Sequence, residues 1–151
     1  MTHLKAGDKA PNFKLPNQNG EKRSLSEFKG QKLVLFFYPK DNTPGCTAEA
    51  CDLRDNFKAL QKQGYTLLGI SPDSEKKHQN FIKKFDLPFD LLADTDQEML
   101  QAYGCWGQKK FMGKEYIGVH RTTFLVDEKG KISEVIVKVK TKEHASQILN
   151  A

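Results

Sequence analysis

The segment Leu33-Val-Leu-Phe-Phe-Tyr38-Pro-Lys-Asp-Asn-Thr43-Pro-Gly-Cys46-Thr-Ala-Glu-Ala-Cys51 decides how this chain folds. Its first six residues form a continuous apolar run, which is typical of a β-strand buried on both faces of a sheet. A proline and a capping residue then lead into a helix that carries one cysteine in its opening turn and a second cysteine five residues later. The segment therefore predicts a central strand followed at once by a helix with thiol chemistry at its start.

The residues after this segment continue the helical pattern. Leu53, Phe57 and Leu60 recur at helical spacing. They predict one helix that runs from Thr47 to Gln63 and is closed by Gly64, because glycine adopts the backbone conformation that ends helices.

The remaining chain alternates between predicted strands and helices. We predict an extended segment over Pro11–Pro16, strands over 66–71 and 89–92, and a β-hairpin with strands over 122–127 and 131–139. We also predict three helices: one capped by Asp73 or Ser74 and ended before Pro88, one capped by Thr95, and a closing helix over 142–149. Strand–helix–strand units require parallel pairing, whereas a hairpin is antiparallel. The sequence thus predicts an α/β fold with a mixed central β-sheet and helices on both faces.

Length and composition fit a single domain over residues 1–151. Hydrophobic residues make up 38% of the chain and charged residues 28%, which is typical of a soluble globular protein. The longest apolar run without a charge, Leu33 to Pro39, is far too short to span a membrane. The first residues show no apolar segment of a secretory signal, so we expect a cytoplasmic protein.

The net charge of +5 limits the choice of partners. Nucleic-acid binding would favour a denser basic stripe with interleaved aromatic residues. The basic residues near the C-terminus instead resemble the solvated face of a hairpin, which could steer an acidic protein partner. This description covers Lys129, Lys131, Lys138, Lys140 and Lys142. We expect no nucleic acid and no membrane as partner.

The first cysteine lies where a thiol ionises most readily. Thr43 suits the cap of the helix, and Pro44 suits its first position because the missing N–H would be unpaired there. Cys46 then occupies the third position, where free backbone N–H groups and the helix dipole favour a thiolate. The alternative is that Cys46 is a small buried hydrophobic residue.

The second cysteine is near the first but out of bonding range. Five residues of helix separate the Cα atoms of Cys46 and Cys51 by roughly 7.5 Å along the axis, whereas disulfides require less than about 7 Å. A bond between them would require the first turn of the helix to unfold. Cys51 could also be an inert core cysteine.

Other uses of the three cysteines are less well supported. Neither Cys46 nor Cys51 belongs to a C-x-x-C motif, which argues against an ordinary dithiol oxidoreductase. A zinc site is conceivable, although the spacings match no common zinc module. Its ligands would come from Cys46, Cys51, Cys105 and one of His78, His120 or His144. We expect no metal.

Five motifs, in this order, resemble those of peroxiredoxins, and they extend over nearly the whole chain. They are Gly7-Asp-Lys-Ala-Pro11-x-Phe13, Phe37-Tyr-Pro39, Thr43-Pro-Gly-Cys46-Thr, Gly69-Ile-Ser71 and Arg121-Thr-Thr-Phe-Leu-Val-Asp127. The five-residue spacing of the cysteines is similar to that of the bacterioferritin comigratory protein, or peroxiredoxin Q, subfamily. The resemblance implies a thioredoxin-like fold and a thiol-dependent peroxidase.

The resemblance also implies roles for individual residues. Cys46 would be the peroxidatic cysteine and Cys51 the resolving cysteine, with the rest of the site formed by Thr43, Pro39, Arg121 and Glu49. The enzyme would reduce hydrogen peroxide and organic hydroperoxides and be recycled by thioredoxin or a similar dithiol. No cofactor is expected, because the sulfur itself carries the electrons. A thiol-based peroxide sensor is the alternative function.

Several of these roles have plain structural alternatives. Arg121 could be a surface arginine at the start of a strand, and Glu49 could equally face solvent on its helix. The Thr43 hydroxyl could donate to the sulfur or accept from the peroxide. Pro39 has no N–H and would shield the sulfur from water, or it simply ends a strand.

The third cysteine and the oligomeric state are left open by the sequence. Cys105 lies in Gly104-Cys105-Trp106-Gly107 and is either a buried bystander or an alternative resolving cysteine. The aromatic side chains of Trp106, Phe111 and Tyr116 would form a pocket rim or pack in the core. Because an intramolecular resolving cysteine needs no second subunit, a monomer is preferred and a dimer is possible.

Overall fold

Two apolar core layers cover the two faces of one five-stranded sheet in the computed structural model, which describes residues 2–151. The elements in chain order are β1 (Lys14–Pro16), β2 (Lys22–Ser24), a 3-10 turn (Leu25–Phe28), β3 (Lys32–Phe37), α1 (Pro44–Asp55), α2 (Phe57–Lys62), β4 (Tyr65–Ser71), α3 (Glu75–Phe85), β5 (Asp90–Ala93), α4 (Glu98–Ala102), β6 (Trp106–Phe111), β7 (Lys114–Val119), β8 (Thr122–Val126), β9 (Ile132–Ile136) and α5 (His144–Leu149).

The central sheet is mixed, as the sequence predicts. Its strand order is β5-β4-β3-β8-β9. β3 lies in the middle, parallel to β4 and antiparallel to β8, while β8 and β9 form the predicted hairpin. The strand that leads into α1 is therefore hydrogen-bonded to a neighbouring strand along each of its two edges.

Alternate residues of β3 point into opposite cores, as expected for a fully buried strand. Leu33, Leu35 and Phe37 pack in one layer with residues of α4. Val34 and Phe36 pack in the other layer with residues of α1, α2, α3 and α5. Helices on both faces are thus confirmed.

The prediction of one continuous helix over 47–63 is wrong, because the structure has two helices there. α1 ends at Asp55, and Asn56 separates it from α2 with φ −111° and ψ 16°. The Asn56 side-chain amide donates to the Asp52 carbonyl at 2.9 Å. Because short polar side chains compete with the backbone for such carbonyls, asparagine favours a break at this point.

The cap predicted for α4 is also wrong. Thr95 lies outside the helix, whose cap residue is Gln97 with φ +58°. The carboxylate of Asp94 accepts from the backbone N–H of Leu100 at 2.7 Å. Asp94 therefore supplies the capping acceptor that the sequence analysis assigns to Thr95.

The sequence does not predict the β6–β7 hairpin. Most of its side chains are exposed, so the alternating pattern that marks a half-buried strand is missing. Met112 and Gly113 form the turn, both with positive φ, which suits a two-residue hairpin connection. The side chains of Phe111 and Tyr116 are 66% and 46% exposed, so core packing does not explain them. Trp106 packs partly against the first core layer.

Across residues 2–151, every helix is too short or too polar to cross a membrane.

Candidate active site

The candidate site forms where β3 ends and α1 begins. β8 runs antiparallel beside β3, and Phe37 at the end of β3 pairs with Thr122 at the start of β8. Arg121 directly precedes Thr122, so the sheet register brings it to the first turn of α1. Two segments that are far apart in sequence are joined in this way by strand pairing alone.

The start of α1 has the predicted geometry. Thr43 is the cap residue with an extended backbone, Pro44 is the first helical residue, and Cys46 is the third. The thiol is 3% exposed and forms no disulfide. Gly45 allows a close approach, because a Cβ atom there would lie 3.3 Å from Arg121 Nη2.

Arg121 joins the cysteine to a buried carboxylate. Its Nη2 donates to Cys46 Sγ at 3.3 Å, and its Nη1 donates to Glu49 Oε1 at 2.6 Å. One planar guanidinium thus contacts both groups with separate N–H donors, which lysine could not reproduce. Arg121 does lie at the start of a strand, but its side chain is mostly buried and bonded to these two groups, so the alternative of a plain surface arginine is wrong.

Glu49 does not face solvent. Its exposed fraction is 0%, because Cys46 and Glu49 lie on the same inner face of α1, one turn apart. Burial raises the pKa of Glu49 to about 7, although the positive charge and hydrogen bond of Arg121 act in the opposite direction. The pKa of Arg121 is raised overall, because the charges of Glu49 and Cys46 outweigh its burial.

His144 lies on the other side of Glu49. Its Nε2 is 3.5 Å from Glu49 Oε2 and 2.7 Å from Thr123 Oγ1. From the sequence, His144 is a candidate only for the conceivable zinc site. No local pattern could have placed it here, since it comes from α5, which packs against α1 more than ninety residues away.

The Thr43 hydroxyl uses its hydrogen within the loop. It donates to the Lys40 carbonyl at 2.8 Å. In this conformation it does not donate to the Cys46 sulfur, so of the two predicted roles only acceptance from a peroxide hydrogen stays open. Pro39 is partly buried between the end of β3 and this loop.

A cluster of buried polar side chains around Asp41 holds the loop from β3 to α1 in place. Asp41 accepts from the Tyr38 hydroxyl at 2.6 Å and contacts His78 Nδ1 at 2.6 Å. The backbone N–H of Asp41 donates to Asp73 at 2.7 Å. Asp41, Asp73 and His78 are close enough to hold a metal ion, but His78 Nε2 also bonds the Leu92 carbonyl at 2.9 Å. Both ring nitrogens of His78 are therefore already engaged in hydrogen bonds within the protein.

The other two cysteines differ in their surroundings. Cys51 is unpaired and only partly buried on α1. Cys105 is fully buried, and this burial raises the pKa of its thiol to about 12. Cys105 packs in one core layer and Cys46 in the other, on opposite faces of the sheet. The zinc site that would combine these cysteines is therefore not formed.

An open cleft of about 210 Å³ adjoins Arg121 on the side of the β6–β7 hairpin. It is lined by Thr2, Lys109, His120, Arg121, Thr122 and Val137. The aromatic rim suggested by the sequence does not line this cleft.

A thiol at the start of the helix that follows the central strand, within this mixed sheet, defines a thioredoxin-like fold with a cysteine-based site. Known proteins agree with this class. Residues 6–135 match the AhpC/TSA family. Peroxiredoxin Bcp of Escherichia coli strain K12 is 49% identical over 150 residues, covering 99% of this chain and 96% of the relative.

Solved structures give the same result. Peroxiredoxin Q of Xanthomonas campestris superposes with a TM-score of 0.89 at 35% identity and covers 96% of this chain and 94% of that chain. A structure of the Xanthomonas campestris bacterioferritin comigratory protein, described for its alkyl peroxide reduction activity, has a TM-score of 0.89 at 34% identity and covers 96% of this chain and 95% of that chain.

The chain belongs to the AhpC/TSA family. The resemblance to peroxiredoxins of the bacterioferritin comigratory protein and peroxiredoxin Q group is confirmed. The protein is a thiol peroxidase.

Proposed function

We propose that this peroxidase reduces hydroperoxides through Cys46 and Cys51 and is recycled by thioredoxin. The observation that carries the proposal is the hydrogen bond from Arg121 Nη2 to Cys46 Sγ at 3.3 Å, at a helix start. The guanidinium and the free backbone N–H groups both favour the thiolate over the thiol.

In the first step the Cys46 thiolate attacks one peroxide oxygen, and the O–O bond breaks. The attacked oxygen stays on sulfur as a sulfenic acid, and the other leaves as water or an alcohol after it gains a proton. Arg121 can stabilise the negative charge that develops on the leaving oxygen. The Thr43 oxygen, whose own hydrogen points to Lys40, can accept the hydrogen of the bound peroxide.

The remaining predicted residues orient and protect the sulfur. Glu49 holds the guanidinium through the 2.6 Å bond to Nη1. Pro39 carries no N–H and covers the approach from the loop, which limits the access of water to Cys46.

In the second step the Cys51 thiolate attacks the sulfenic sulfur, the S–O bond breaks, and the oxygen leaves as hydroxide, which takes a proton from solvent to become water. Cys46 is buried at the start of α1 and Cys51 lies on the same helix, so the first turns of α1 must unwind. A dithiol such as thioredoxin would then reduce the disulfide by exchange. Cys105 is not needed, because it lies across the sheet.

Both hydrogen peroxide and organic hydroperoxides are proposed as substrates. Support for the second comes from the Xanthomonas campestris protein, whose structure is described for alkyl peroxide reduction. We further propose that the protein acts as a single-domain monomer in the cytoplasm. This agrees with three unpaired cysteines and with a resolving cysteine in the same chain.

Coupled oxidation of NADPH by thioredoxin reductase, thioredoxin and the protein tests the proposal with several peroxides. Cys46→Ser should abolish turnover. Cys51→Ser should react once and accumulate sulfenic acid, while Cys105→Ser should turn over normally. Normal turnover by Cys46→Ser, or a Cys46–Cys105 bridge in peptide maps of the oxidised protein, would refute these assignments. Reaction with peroxide but no turnover with any dithiol would favour the sensor function.

A further inference from the structure

The Glu49 carboxylate lies between two nitrogen groups, but only one of them donates to it. Oε1 accepts from Arg121, whereas Oε2 is fully buried and faces His144 Nε2 at 3.5 Å. Among residues 2–151 no group donates a hydrogen bond to Oε2. An unpaired oxygen of a buried carboxylate is costly, so this position favours an added proton.

The tautomer of His144 follows from the hydrogen bonds of the residues around it. The backbone N–H of Lys140 donates to Gln147 Oε1 at 2.9 Å, which fixes that atom as an acceptor. His144 Nδ1 contacts the same oxygen at 2.8 Å and must therefore carry a hydrogen. In the neutral ring, Nε2 is an acceptor and receives the Thr123 hydroxyl at 2.7 Å.

One further proton has two sites, and both lie between the same two side chains. On Nε2 it makes an imidazolium that faces the Glu49 carboxylate. On Oε2 it makes a neutral acid that can donate to Nε2 once the Thr123 hydroxyl turns away. Glu49 and His144 therefore titrate as a pair and not as separate groups.

The charges around the pair place this uptake near neutral pH. Burial raises the pKa of Glu49 to about 7, with Arg121 lowering it and Asp52 raising it. Burial lowers the pKa of His144, while Gln147 and Asp52 act to raise it and Arg121 to lower it. Cys46 Sγ lies on the far side of Arg121, in contact with Nη2.

We propose that His144 is a positioning residue that shares one proton with Glu49 and thereby sets how much of the Arg121 charge acts on Cys46. This role rests on the proposed function of Cys46 as the reacting thiol. With the proton on Oε2, Oε1 still accepts from Nη1, so the guanidinium keeps its place. The opposing negative charge is lost, however, and Arg121 stabilises the thiolate more strongly as the pH falls.

A carboxylate placed beside His144 Nδ1 tests the shared proton. Gln147→Glu retains the oxygen that accepts from Lys140, and the position is only partly buried. A negative charge there favours the protonated pair, so proton uptake should move to higher pH by about one unit. NMR of the His144 ring nitrogens measures the uptake, and stopped-flow rates of the reaction with hydrogen peroxide across the same pH range measure its effect on Cys46.

We expect the NMR titration and the inflection in the rate profile to move together in Gln147→Glu. The same change made in a His144→Asn protein, which has no ring to titrate, should leave the inflection of the rate profile in place, and this excludes a direct effect of the new charge on the rate. Glu49→Gln provides a second background if His144→Asn does not fold: there the new charge still shifts the His144 titration, but the rate profile should not move. Ser146→Glu, an exposed carboxylate on the same helix, is the matched control and should leave both midpoints in place.

A shift of the His144 titration without a shift of the rate profile would overturn the role proposed for His144. An equal shift in Ser146→Glu or in the His144→Asn background would overturn it as well. Wild-type protein that consumes no peroxide would instead refute the proposed function of Cys46. The NMR titrations of wild type and Glu49→Gln would still show whether the proton is shared.

Discussion

The carboxylate of Asp52, on α1, accepts the backbone N–H of Ala145, in the first turn of α5, at 2.7 Å. Asp52 directly follows the proposed resolving cysteine. On the proposed mechanism, the helix that unwinds when the disulfide forms also holds the last helix of the fold in place. We therefore expect opening of α1 to loosen α5 through this bond and the adjacent Glu49–His144 contact.

Oxidation of the protein should loosen α5. A Cys46–Cys51 disulfide displaces α1 as far as Cys51, and Asp52, the acceptor for Ala145, is the next residue. Loss of a helix cap costs about 1 kcal/mol, so amide exchange in residues 145–150 should accelerate roughly fivefold. Hydrogen exchange of the reduced and oxidised proteins, followed by mass spectrometry, measures this.

Asp52→Asn is the control for this coupling. It weakens the cap in both redox states, so the difference between the reduced and oxidised exchange rates should shrink. Equal protection of residues 145–150 in reduced and oxidised wild type would show that α1 opens without disturbing α5.

The sequence predicts the parts of this site that depend on neighbouring residues, and it predicts less where the contacts join residues far apart in the chain. The position of Cys46 follows from its neighbours, because Thr43 and Pro44 fix the start of a helix locally. The partnership of Arg121 with Glu49 depends on strand pairing across β3 and β8, and only the family motifs indicate it. His144 lies beyond both kinds of signal, since neither spacing nor motif connects it to α1.

The fold shows the same division. Strong apolar runs predict the central strands, and the β8–β9 hairpin follows from its alternating pattern. The break at Asn56 depends on a side chain that bonds a backbone carbonyl, which periodicity does not detect. The β6–β7 hairpin buries little apolar surface, so it leaves no pattern from which strands could be predicted.

Arg121→Lys should slow the reaction of Cys46 with peroxide. An ammonium group keeps the charge but cannot contact Sγ and Glu49 Oε1 with two fixed donors. Removal of one such donor to a developing anion typically costs roughly a hundredfold or more in rate. Stopped-flow measurement of the second-order rate constant tests this. Arg23→Lys, in the separate ion pair with Asp90, should leave the rate unchanged, and an unaffected rate in Arg121→Lys would show that charge alone suffices.

Glu49 should make the folded protein less stable as the pH rises. Its pKa is raised from 4.5 to about 7, so the folded protein keeps a proton that the unfolded chain releases within this window. The stabilisation is present below the lower value and is lost as the pH rises through the upper one. An unfolded His144 also takes up a proton within this window, so the difference between wild type and a Glu49 variant, and not the slope in wild type alone, reports the contribution of Glu49.

The variant Glu49→Gln removes this titration. Free energies of unfolding from urea curves, measured at several pH values, should fall more steeply with pH in wild type than in Glu49→Gln. Two parallel curves would mean that Arg121 compensates the buried charge fully and that the folded and unfolded states release this proton together.

The Asp41–His78 pair should contribute strongly to stability and to the position of Thr43. Because His78 Nε2 faces a backbone carbonyl, that nitrogen must carry a hydrogen, and one further proton is held between Nδ1 and the Asp41 carboxylate. His78→Leu leaves Asp41 buried without this partner, which typically costs about 3 to 5 kcal/mol. Tyr38→Phe removes only the hydroxyl donor to the same carboxylate and should cost about 1 to 3 kcal/mol.

Urea unfolding measures the loss of stability in His78→Leu and Tyr38→Phe. The rate of the reaction with peroxide shows whether these changes also alter the geometry around Cys46. Asp41 anchors the loop in which the Thr43 hydroxyl bonds Lys40, so the rate constant should fall in His78→Leu even where the protein remains fully folded. A variant that is destabilised as expected but reacts at the wild-type rate would show that Thr43 is held by the cap of α1 alone. In that case the buried pair would support the fold without setting the geometry around Cys46.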